Sequence, residues 1–209
     1  MLDDAAVLHL ATGFEGHPDN AAAALVGGFT ISWCEGVSDA AGAGRGADPS
    51  ECAQPRAVRV PLHPDIVAVA CVPAGELATA SARRMLPERV PHTEAAFNAA
   101  RSALLVEALT RRPDLLMAAT EDRLHQGQRA PAMPHTAWLV GCIRELGAAA
   151  VVSGAGPSVL VLGTRAQVEP AVTAALAEAH GAERGTWRAL GAEIDTRGAQ
   201  VTTHGVRRM

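Results

Sequence analysis

Residues 149–162 read Ala-Ala-Val-Val-Ser-Gly-Ala-Gly-Pro-Ser-Val-Leu-Val-Leu, and this stretch says most about the fold. The apolar runs at 149–152 and 159–162 predict two short β-strands. The segment between them carries two glycines, which let backbone N–H groups point into one concavity that binds an anion. A plain turn between strands uses glycines as well, but Pro157 stiffens the chain more than a hairpin requires. An anion-binding loop and a simple turn therefore both stay open.

Helices and strands are predicted on both sides of this stretch. Apolar stripes at helical spacing, prolines at helix starts and glycines at helix ends predict helices at residues 5–11, 18–26, 76–86, 92–111, 113–124, 134–147 and 169–180. Runs of β-branched and aromatic residues predict further strands at residues 29–34, 57–60, 66–72, 187–194 and 199–203. Residues 36–54, rich in Gly, Ala, Ser and Asp, predict a loop. This order of elements predicts an α+β fold with helices on one face of a sheet.

Composition narrows the class of protein. The chain has 209 residues and a net charge of -4, with 48% hydrophobic and 19% charged residues. These values exclude an intrinsically disordered chain and argue against a nucleic-acid-binding protein, which would carry a basic patch. No apolar run approaches the ~20 residues that span a bilayer, and the first residues lack the basic and apolar regions of a secretory signal. We therefore expect a cytoplasmic protein with no nucleic-acid or membrane partner.

Lysine is absent, so all 18 basic residues are arginine. A Walker A loop and the attachment of pyridoxal phosphate both require lysine, and the sequence excludes them. Any anion site must use arginine, a helix N-terminus or backbone N–H groups. The four cysteines are far apart and include no Cys-x-x-Cys pair, which argues against a zinc site or a redox motif. We expect all four, Cys34, Cys52, Cys71 and Cys142, to be buried thiols.

Residues 15–20 read Glu-Gly-His-Pro-Asp-Asn. Pro18 suits the first position of a helix, which puts Asp19 and Asn20 in the first turn beside free N–H groups. In that position Asn20 can hold a substrate hydroxyl, and the carboxylate of Glu15 or Asp19 can hold a cation that bridges phosphates. Acidic residues also stabilise helix N-termini by themselves, and the spacing does not choose between these roles.

Three further side chains are candidates for binding an anion. Thr79 and Arg83 lie four residues apart on a predicted helix and so share a face. Together they can grip a carboxylate, or they can lie on a solvated helix face. Arg129 comes just before Pro131, where the chain must turn, so it can reach into a cleft or cap the preceding helix.

Taken in chain order, these segments resemble the homoserine kinase family of the GHMP kinase superfamily. The resemblance extends over nearly the whole chain and is most specific at residues 15–20 and 153–158. It includes the further motifs Leu62-His63-Pro64-Asp65, Leu86-Pro87, Val90-Pro91-His92, Phe97-Asn98, Arg101 and Leu124-His125-Gln126. The resemblance implies the GHMP kinase fold. Residues 1–62 would form the rear part of a ribosomal-protein-S5-domain-2-like domain, and residues 63–209 a ferredoxin-like α/β sandwich.

The resemblance also implies an activity, the transfer of the γ-phosphoryl group of ATP, with Mg²⁺, to the side-chain hydroxyl of L-homoserine in threonine biosynthesis. By position, Asn20 and Thr79 would be catalytic, with Asn20 contacting the hydroxyl and Thr79 orienting the reacting groups. Arg83 and Arg129 would hold the substrate carboxylate. Such a reaction requires positioning and charge neutralisation more than a dedicated base. The residues lining the substrate cleft would be Gly154, Ala155 and Gly156.

Two features depart from the family's pattern. The family's Pro-x-x-x-Gly-Leu-Gly-Ser-Ser loop, which cradles the ATP phosphates at a helix N-terminus, does not occur here. Some relatives carry a magnesium-binding glutamate eleven residues before the motif asparagine, where this sequence has His9, so the metal ligand stays unassigned.

We therefore expect an N-terminally truncated member of the family. The helix at 18–26 would then lack strands to pack against, and residues 1–60 would expose apolar surface unless a homodimer covers it. Two alternatives stay open: a catalytically inactive fragment, and a GHMP kinase for another small alcohol such as mevalonate.

Overall fold

The structure, a computed structural model, describes residues 2–36, 52–74 and 85–202, and the chain divides into two compact units. The first unit contains the residues up to Pro61 together with those from Ile194 onward, and the second contains Leu62–Glu193. We predicted a boundary at residue 62 with everything after it in the second domain. The residues from Ile194 onward instead group with the first unit.

The described residues of the first unit form two helices and a two-stranded sheet. They are α1 (Asp4–Glu15), α2 (Pro18–Val26), β1 (Phe29–Glu35) and β2 (Gln54–Val60). The strands are antiparallel, with Phe29 opposite Val60 and Glu35 opposite Gln54. Pro18 is the first residue of α2, as the sequence predicts, and α2 packs against both strands. The expectation that this helix lacks strands to pack against is therefore wrong.

Residues 194–202, here called the return segment, close the first unit against the end of α2. The Ala199 N–H donates to the Leu25 carbonyl at 3.2 Å. A Cβ atom on Gly198 would overlap the Leu25 carbonyl group, so only glycine allows the chain to come this close. The strand predicted at 199–203 is wrong over the part that the structure describes, because those residues run on without pairing in a sheet.

A four-stranded antiparallel sheet forms the base of the second unit. Its strands β3 (Ile66–Pro73), β4 (Ala149–Val152), β5 (Val159–Thr164) and β6 (Trp187–Ala192) lie in the order β4-β5-β3-β6. The accompanying helices are α3 (His92–Thr110), α4 (Leu116–Ala119), α5 (Gln126–Arg129), α6 (Pro134–Glu145) and α7 (Arg165–Gly181), with 3₁₀ turns at Pro113–Leu115 and Ala130–Ala132. Across the described ranges, no helix is long and apolar enough to cross a membrane. The combination of helices and antiparallel sheet confirms the predicted α+β class.

The core of the second unit lies between the sheet and the helices α6 and α7. Leu139 and Ile143 of α6, Val168 of α7, and Val159 and Val161 of β5 are fully buried. Burial alternates along β5 with the period of two expected for a strand that has one face on a core. Each such side chain stabilises the fold by about 1.5–3 kcal/mol. This packed layer holds the ends of β4 and β5, from which the glycine-rich loop projects.

Two predicted helices have a different outcome in the structure. The helix predicted at 113–124 ends at Ala119, because the Asp122 side chain accepts the N–H groups of His125 and Gln126 and starts a new turn there. The helix predicted at 76–86 falls almost entirely outside the described residues.

The cysteines also differ from our expectation. Cys34 and Cys52 form a disulfide with their Cα atoms 5.3 Å apart, so the prediction of four free thiols is wrong for this pair. Antiparallel pairing of β1 with β2 brings together two cysteines that are 18 residues apart in sequence. Cys71 and Cys142 are free, and burial raises the pKa of the Cys71 thiol to about 11.

Candidate functional site

The one-turn helix α5 is held at its start by Asp122. The Asp122 carboxylate accepts the N–H of His125 at 2.8 Å and that of Gln126 at 2.6 Å. It also accepts the side-chain amide of Asn98 at 2.7 Å and lies 3.0 Å from Nδ1 of His125. Burial alone would raise the pKa of Asp122, but these hydrogen bonds outweigh burial and lower the pKa to about 2. Asp122 is therefore ionised at neutral pH, with its charge directed into the protein.

Arg129, the last residue of α5, reaches the glycine-rich loop. Its guanidinium donates to the Gly154 carbonyl at 3.0 Å. On the same turn, the side-chain carbonyl of Gln126 accepts the N–H of Val152 at 2.8 Å. One turn of helix is thus attached both to the end of β4 and to the loop that follows it. The structure brings together two of the predicted substrate-binding residues that are 25 positions apart.

The loop at 153–158 is a tight turn closed by backbone hydrogen bonds. The Ser153 N–H donates to the Ser158 carbonyl at 2.8 Å, and the Gly156 N–H donates to the Ser153 carbonyl at 2.9 Å. Gly154 and Gly156 have φ angles of 56° and 87°, in the left-handed region that favours glycine. Because Gly156 uses its N–H within the turn, the anion-binding concavity suggested by the sequence has one donor fewer.

Buried side chains pack behind this loop. The Thr136 hydroxyl donates to the Pro157 carbonyl at 2.8 Å, and both Thr136 and Met133 are buried. A Cβ atom on Gly156 would lie 2.7 Å from Sδ of Met133 and 3.1 Å from Cγ1 of Val152. Sequence reasoning missed Thr136 and Met133, because no local pattern marks a contact made across some twenty residues.

An aromatic residue between two arginines ties this region to α3. The guanidinium carbons of Arg101 and Arg123 lie 4.3 and 3.7 Å from the centre of the Phe97 ring, within cation–π range. The side-chain carbonyl of Asn98 accepts the N–H of Arg123 at 2.9 Å. Phe97, Asn98 and Arg101 are among the motifs that carried the resemblance, and here they anchor the segment that precedes α5.

The predicted residues of the first unit lie near the start of α2. The Asp19 carboxylate accepts the N–H of Asn20 at 2.8 Å and lies 2.5 Å from Nδ1 of His17. Asp19 and Asn20 are exposed, and so is Glu15 at the end of α1. Asp19 makes the local contacts expected of an acidic residue at a helix N-terminus.

The predicted site residues are distributed over both units. Arg129 and residues 154–156 lie in the second unit, whereas Asn20 lies in the first. Thr79 and Arg83 fall outside the described residues. The contact that the structure provides is therefore the one between Arg129 and the glycine-rich loop, and the other roles stay predictions.

A polar cavity of about 430 Å³ opens beside α5, a volume that suits a small ligand. Its lining residues are Phe97, Thr120, Glu121, Asp122, Arg123, Gln126 and Arg144. Within the described ranges, no three His, Cys, Asp or Glu side chains come close enough together to hold a metal ion. Glu15 and Asp19 therefore belong to no such cluster among the described residues, and a role for either in holding magnesium stays a prediction.

A family model with the description "GHMP kinases C terminal" matches residues 100–183. This range begins in α3 and ends just after α7, so it includes α5, the glycine-rich loop and most of the core of the second unit. The match therefore covers the part of the chain in which Arg129 meets Gly154.

Curated relatives extend the similarity beyond that range. A homoserine kinase from Streptomyces avermitilis is 50% identical over 200 residues, which are 96% of this chain and 58% of that relative. One from Streptomyces coelicolor is 55% identical over 161 residues, or 77% of this chain and 47% of the relative. One from Clavibacter michiganensis is 46% identical over 202 residues, or 96% of this chain and 57% of the relative. The chain thus spans about half the length of the curated relatives it matches.

Solved structures share the fold. A homoserine kinase from Cytophaga hutchinsonii superposes with a TM-score of 0.76 at 21% identity, covering 94% of this chain and 60% of that one. A structure from Listeria monocytogenes gives a TM-score of 0.63 at 24% identity, covering 97% of this chain and 62% of that one. Similarity at these identities concerns the fold alone, and it confirms the fold predicted from the motifs.

Proposed function

This chain belongs to the GHMP kinase superfamily, and from that premise we propose that it transfers the γ-phosphoryl group of ATP to the side-chain hydroxyl of L-homoserine. The products would be ADP and O-phospho-L-homoserine. Because the chain spans only about half the length of its relatives, the activity of these 209 residues is itself part of the proposal.

The contact between Arg129 and Gly154 supports this proposal best. It places the planar guanidinium group of Arg129 beside a loop whose residues 154–156 have small side chains or none. A guanidinium held in this way suits a carboxylate, which it binds through two parallel hydrogen bonds. L-Homoserine carries such a carboxylate, together with the hydroxyl that would accept the phosphoryl group.

The other residues take their proposed roles from the family pattern. Asn20 would contact the substrate hydroxyl, and Thr79 would orient the reacting groups. Arg83 would share the substrate carboxylate with Arg129. The residues that would line the substrate cleft are Gly154, Ala155 and Gly156.

Positioning and charge neutralisation would supply most of the rate enhancement. Phosphoryl transfer passes through a loose transition state with little covalent chemistry for the protein to perform. Holding the hydroxyl in line with the phosphate therefore lowers the barrier more than a strong base would. Mg²⁺ bound with ATP would neutralise charge on the phosphates. We assign no residue to the metal, since the described part of the chain offers no cluster for it.

Release of ADP by the purified 209-residue chain, with ATP, Mg²⁺ and L-homoserine, tests the activity. We expect ADP release that depends on L-homoserine and is much slower with mevalonate, which has a carboxylate but no ammonium group. ADP release that is equal with both alcohols, or faster with mevalonate, would favour a kinase for another alcohol. No ADP release with either alcohol, from a folded chain, would favour a catalytically inactive fragment.

Substitution of Arg129 tests its role directly. Loss of a charged hydrogen-bond pair predicts a KM for L-homoserine raised about 10- to 100-fold in Arg129→Gln, with the KM for ATP unchanged. Arg165→Gln is the matched control, because Arg165 is an exposed arginine at the start of α7 that pairs with Glu169. Equal effects of the two variants on the KM for L-homoserine would contradict the assignment.

A cytoplasmic location is also part of the proposal, since ATP and amino acids are available there. A homodimer is the remaining proposal about partners. Sedimentation of the purified chain at several concentrations tests this proposal. We expect the mass of a dimer, and the mass of a monomer at every concentration would contradict it.

A further inference from the structure

We propose that Asp122 is a positioning residue that sets the Arg129 guanidinium for the substrate carboxylate, an inference that rests on the proposed function of Arg129. Asp122 itself would touch no substrate. It would act through α5, the single turn that separates it from Arg129 in the chain.

A helix of one turn has little stability of its own, because nucleation fixes several residues for a single hydrogen bond. Its first N–H groups also need acceptors from outside the turn. The Asp122 carboxylate supplies one of them, accepting the N–H of Gln126, the first residue of α5, at 2.6 Å, and it also accepts the N–H of His125, the residue before the helix, at 2.8 Å. The direction in which α5 leaves this cap therefore depends on one carboxylate.

The cap is itself attached to a rigid element. Asn98 lies on α3, a helix of 19 residues, and both ends of its side-chain amide are used. The nitrogen donates to Asp122 at 2.7 Å, and the oxygen accepts the N–H of Arg123 at 2.9 Å. Asp122 therefore fixes the start of the short helix α5 relative to the long helix α3.

The far side of α5 is attached to the glycine-rich loop region. Gln126 accepts the N–H of Val152 at 2.8 Å, and Arg129 donates to the Gly154 carbonyl at 3.0 Å. These two contacts can form together only if α5 starts at the right place and runs in the right direction. The hydrogen bonds of Asp122 fix both the start and the direction of α5, so their loss should weaken the contacts of Gln126 and Arg129 together.

The chemistry at Arg129 is sensitive to such loosening. Two parallel hydrogen bonds to a carboxylate require the guanidinium plane to be aligned with it. A displacement of about 1 Å in a positioning group can cost a factor of about 100 in rate. The effect should be confined to substrates with a carboxylate, because the other groups of the substrate do not rely on Arg129.

The experiment compares Asp122→Asn with Asp114→Asn, a matched control in an exposed ion pair with Arg112. Asparagine has the shape of aspartate, but only one end of its amide can accept. It therefore cannot accept the N–H groups of His125 and Gln126 on one side and the side-chain amide of Asn98 on the other. We expect Asp122→Asn to raise the KM for L-homoserine at least about 10-fold, with the KM for ATP unchanged and little change for L-homoserine amide, which has no carboxylate. Combining Asp122→Asn with Arg129→Gln should add little to Arg129→Gln alone. Equal losses on both substrates, or fully additive losses, would overturn the proposal.

A second measurement needs no substrate and separates this inference from the proposed function. Hydrogen exchange of the Val152 amide reports the contact with Gln126, and we expect it to speed up about 10-fold or more in Asp122→Asn but not in Asp114→Asn. Unchanged exchange of Val152 would overturn the positioning role even if the kinase activity holds. An inactive wild-type chain would instead refute the proposed function. In that case the exchange of Val152 alone would decide whether Asp122 positions α5.

Asp122→Ser keeps the test open if Asp122→Asn does not fold. A serine hydroxyl still accepts an N–H at the start of a helix. We expect its KM for L-homoserine and its Val152 exchange to lie between those of wild type and Asp122→Ala. If Asp122→Ser matches Asp122→Ala in both, capping is not what positions Arg129.

Discussion

Among single residues, Asp122 links acidity to stability. Its pKa is about 2 in the folded protein against an ordinary value of 3.8. A carboxyl group with a lower pKa in the folded state stabilises the fold above its ordinary pKa. That stabilisation is lost as the pH falls toward the folded pKa. Asp122 should therefore contribute about 2 kcal/mol at neutral pH, decreasing between about pH 4 and pH 2.

Urea denaturation of wild type and Asp122→Asn over this pH range checks the prediction. The gap between their free energies of unfolding should be constant above about pH 5 and should narrow on acidification. Asp114→Asn serves as the control. Asp114 is exposed and a hydrogen bond with Arg112 also lowers its pKa, so its gap should change in the same direction, but solvent screening of the exposed pair should keep that gap much smaller. A gap for Asp122→Asn that does not change with pH would contradict the assignment.

The meeting of Arg129 with Gly154 was only partly predictable. Local sequence marks both as candidates, since the arginine precedes a proline and the glycine lies between two strands. Their separation of 25 residues carries no distance information, and the family resemblance supplied the link. Asp122 has a local signal of its own, because an aspartate shortly before a turn is typical of a helix N-cap. Its ties to Asn98 on α3 depend on tertiary packing that spacing does not reveal.

At the scale of the element, the two glycines of the 153–158 loop should respond differently to alanine. Both have positive φ, which costs an alanine about 1–2 kcal/mol. Around Gly154 a Cβ atom would meet nothing within 4 Å, whereas at Gly156 it would meet buried Met133 and Val152. Overpacking adds about 1–3 kcal/mol. We expect Gly156→Ala to lose about 3 kcal/mol and Gly154→Ala about 1 kcal/mol.

Thermal and urea unfolding of the two variants measure this difference, and each glycine is the other's control. Equal losses would mean that Met133 moves aside at no cost. A greater loss for Gly154→Ala would contradict the packing described behind the loop.

The disulfide between Cys34 and Cys52 should stabilise the β1–β2 pair. It closes a loop of 18 residues, for which chain entropy predicts about 3 kcal/mol. Cys34→Ser should therefore lower the stability of the first unit when the wild type is oxidised, and should match wild type under a thiol reductant. Cys142→Ser, which removes a free thiol, is the control. The fluorescence of Trp33 during urea unfolding reports the result, and no dependence on reductant would count against the bridge.

The elements themselves were the most predictable part of the fold. Proline starts and glycine stops placed α2 and α6, and apolar runs placed β3, β4 and β5, because these signals act within a few residues. The prediction of one helix at 113–124 was wrong. Leu116, Thr120 and Leu124 keep a helical spacing, but the Asp122 side chain interrupts the helix between them by accepting backbone N–H groups. The strand predicted at 199–203 failed because the return segment is held by α2 instead of a sheet.

For the whole molecule, the two units should unfold separately. Among the described residues, the first has few buried side chains and exposes Leu10, Phe14, Trp33 and Val58, with Phe14 92% exposed. The second buries the main core. Because stability follows buried apolar area, we expect the first unit to unfold at lower urea concentration.

Tryptophan fluorescence can follow each unit by itself. The chain has three tryptophans: Trp33 lies in the first unit, and Trp138 and Trp187 lie in the second. Trp33→Phe should show only the later transition, and the double variant Trp138→Phe with Trp187→Phe only the earlier one. Coincident transitions in these variants would show that the chain unfolds as one cooperative body.

The return segment gives the chain an unusual order of assembly. During translation the residues of α1, α2, β1 and β2 leave the ribosome before those of the second unit. The return segment, which hydrogen-bonds to Leu25 and fits against α2 through Gly198, is made after the second unit. Domains generally fold as they emerge from the ribosome. The second unit can therefore fold before the return segment has been made, whereas the first unit can fold completely only afterwards. A nascent chain stalled before residue 194 should therefore protect its middle from protease and leave its beginning open to cleavage.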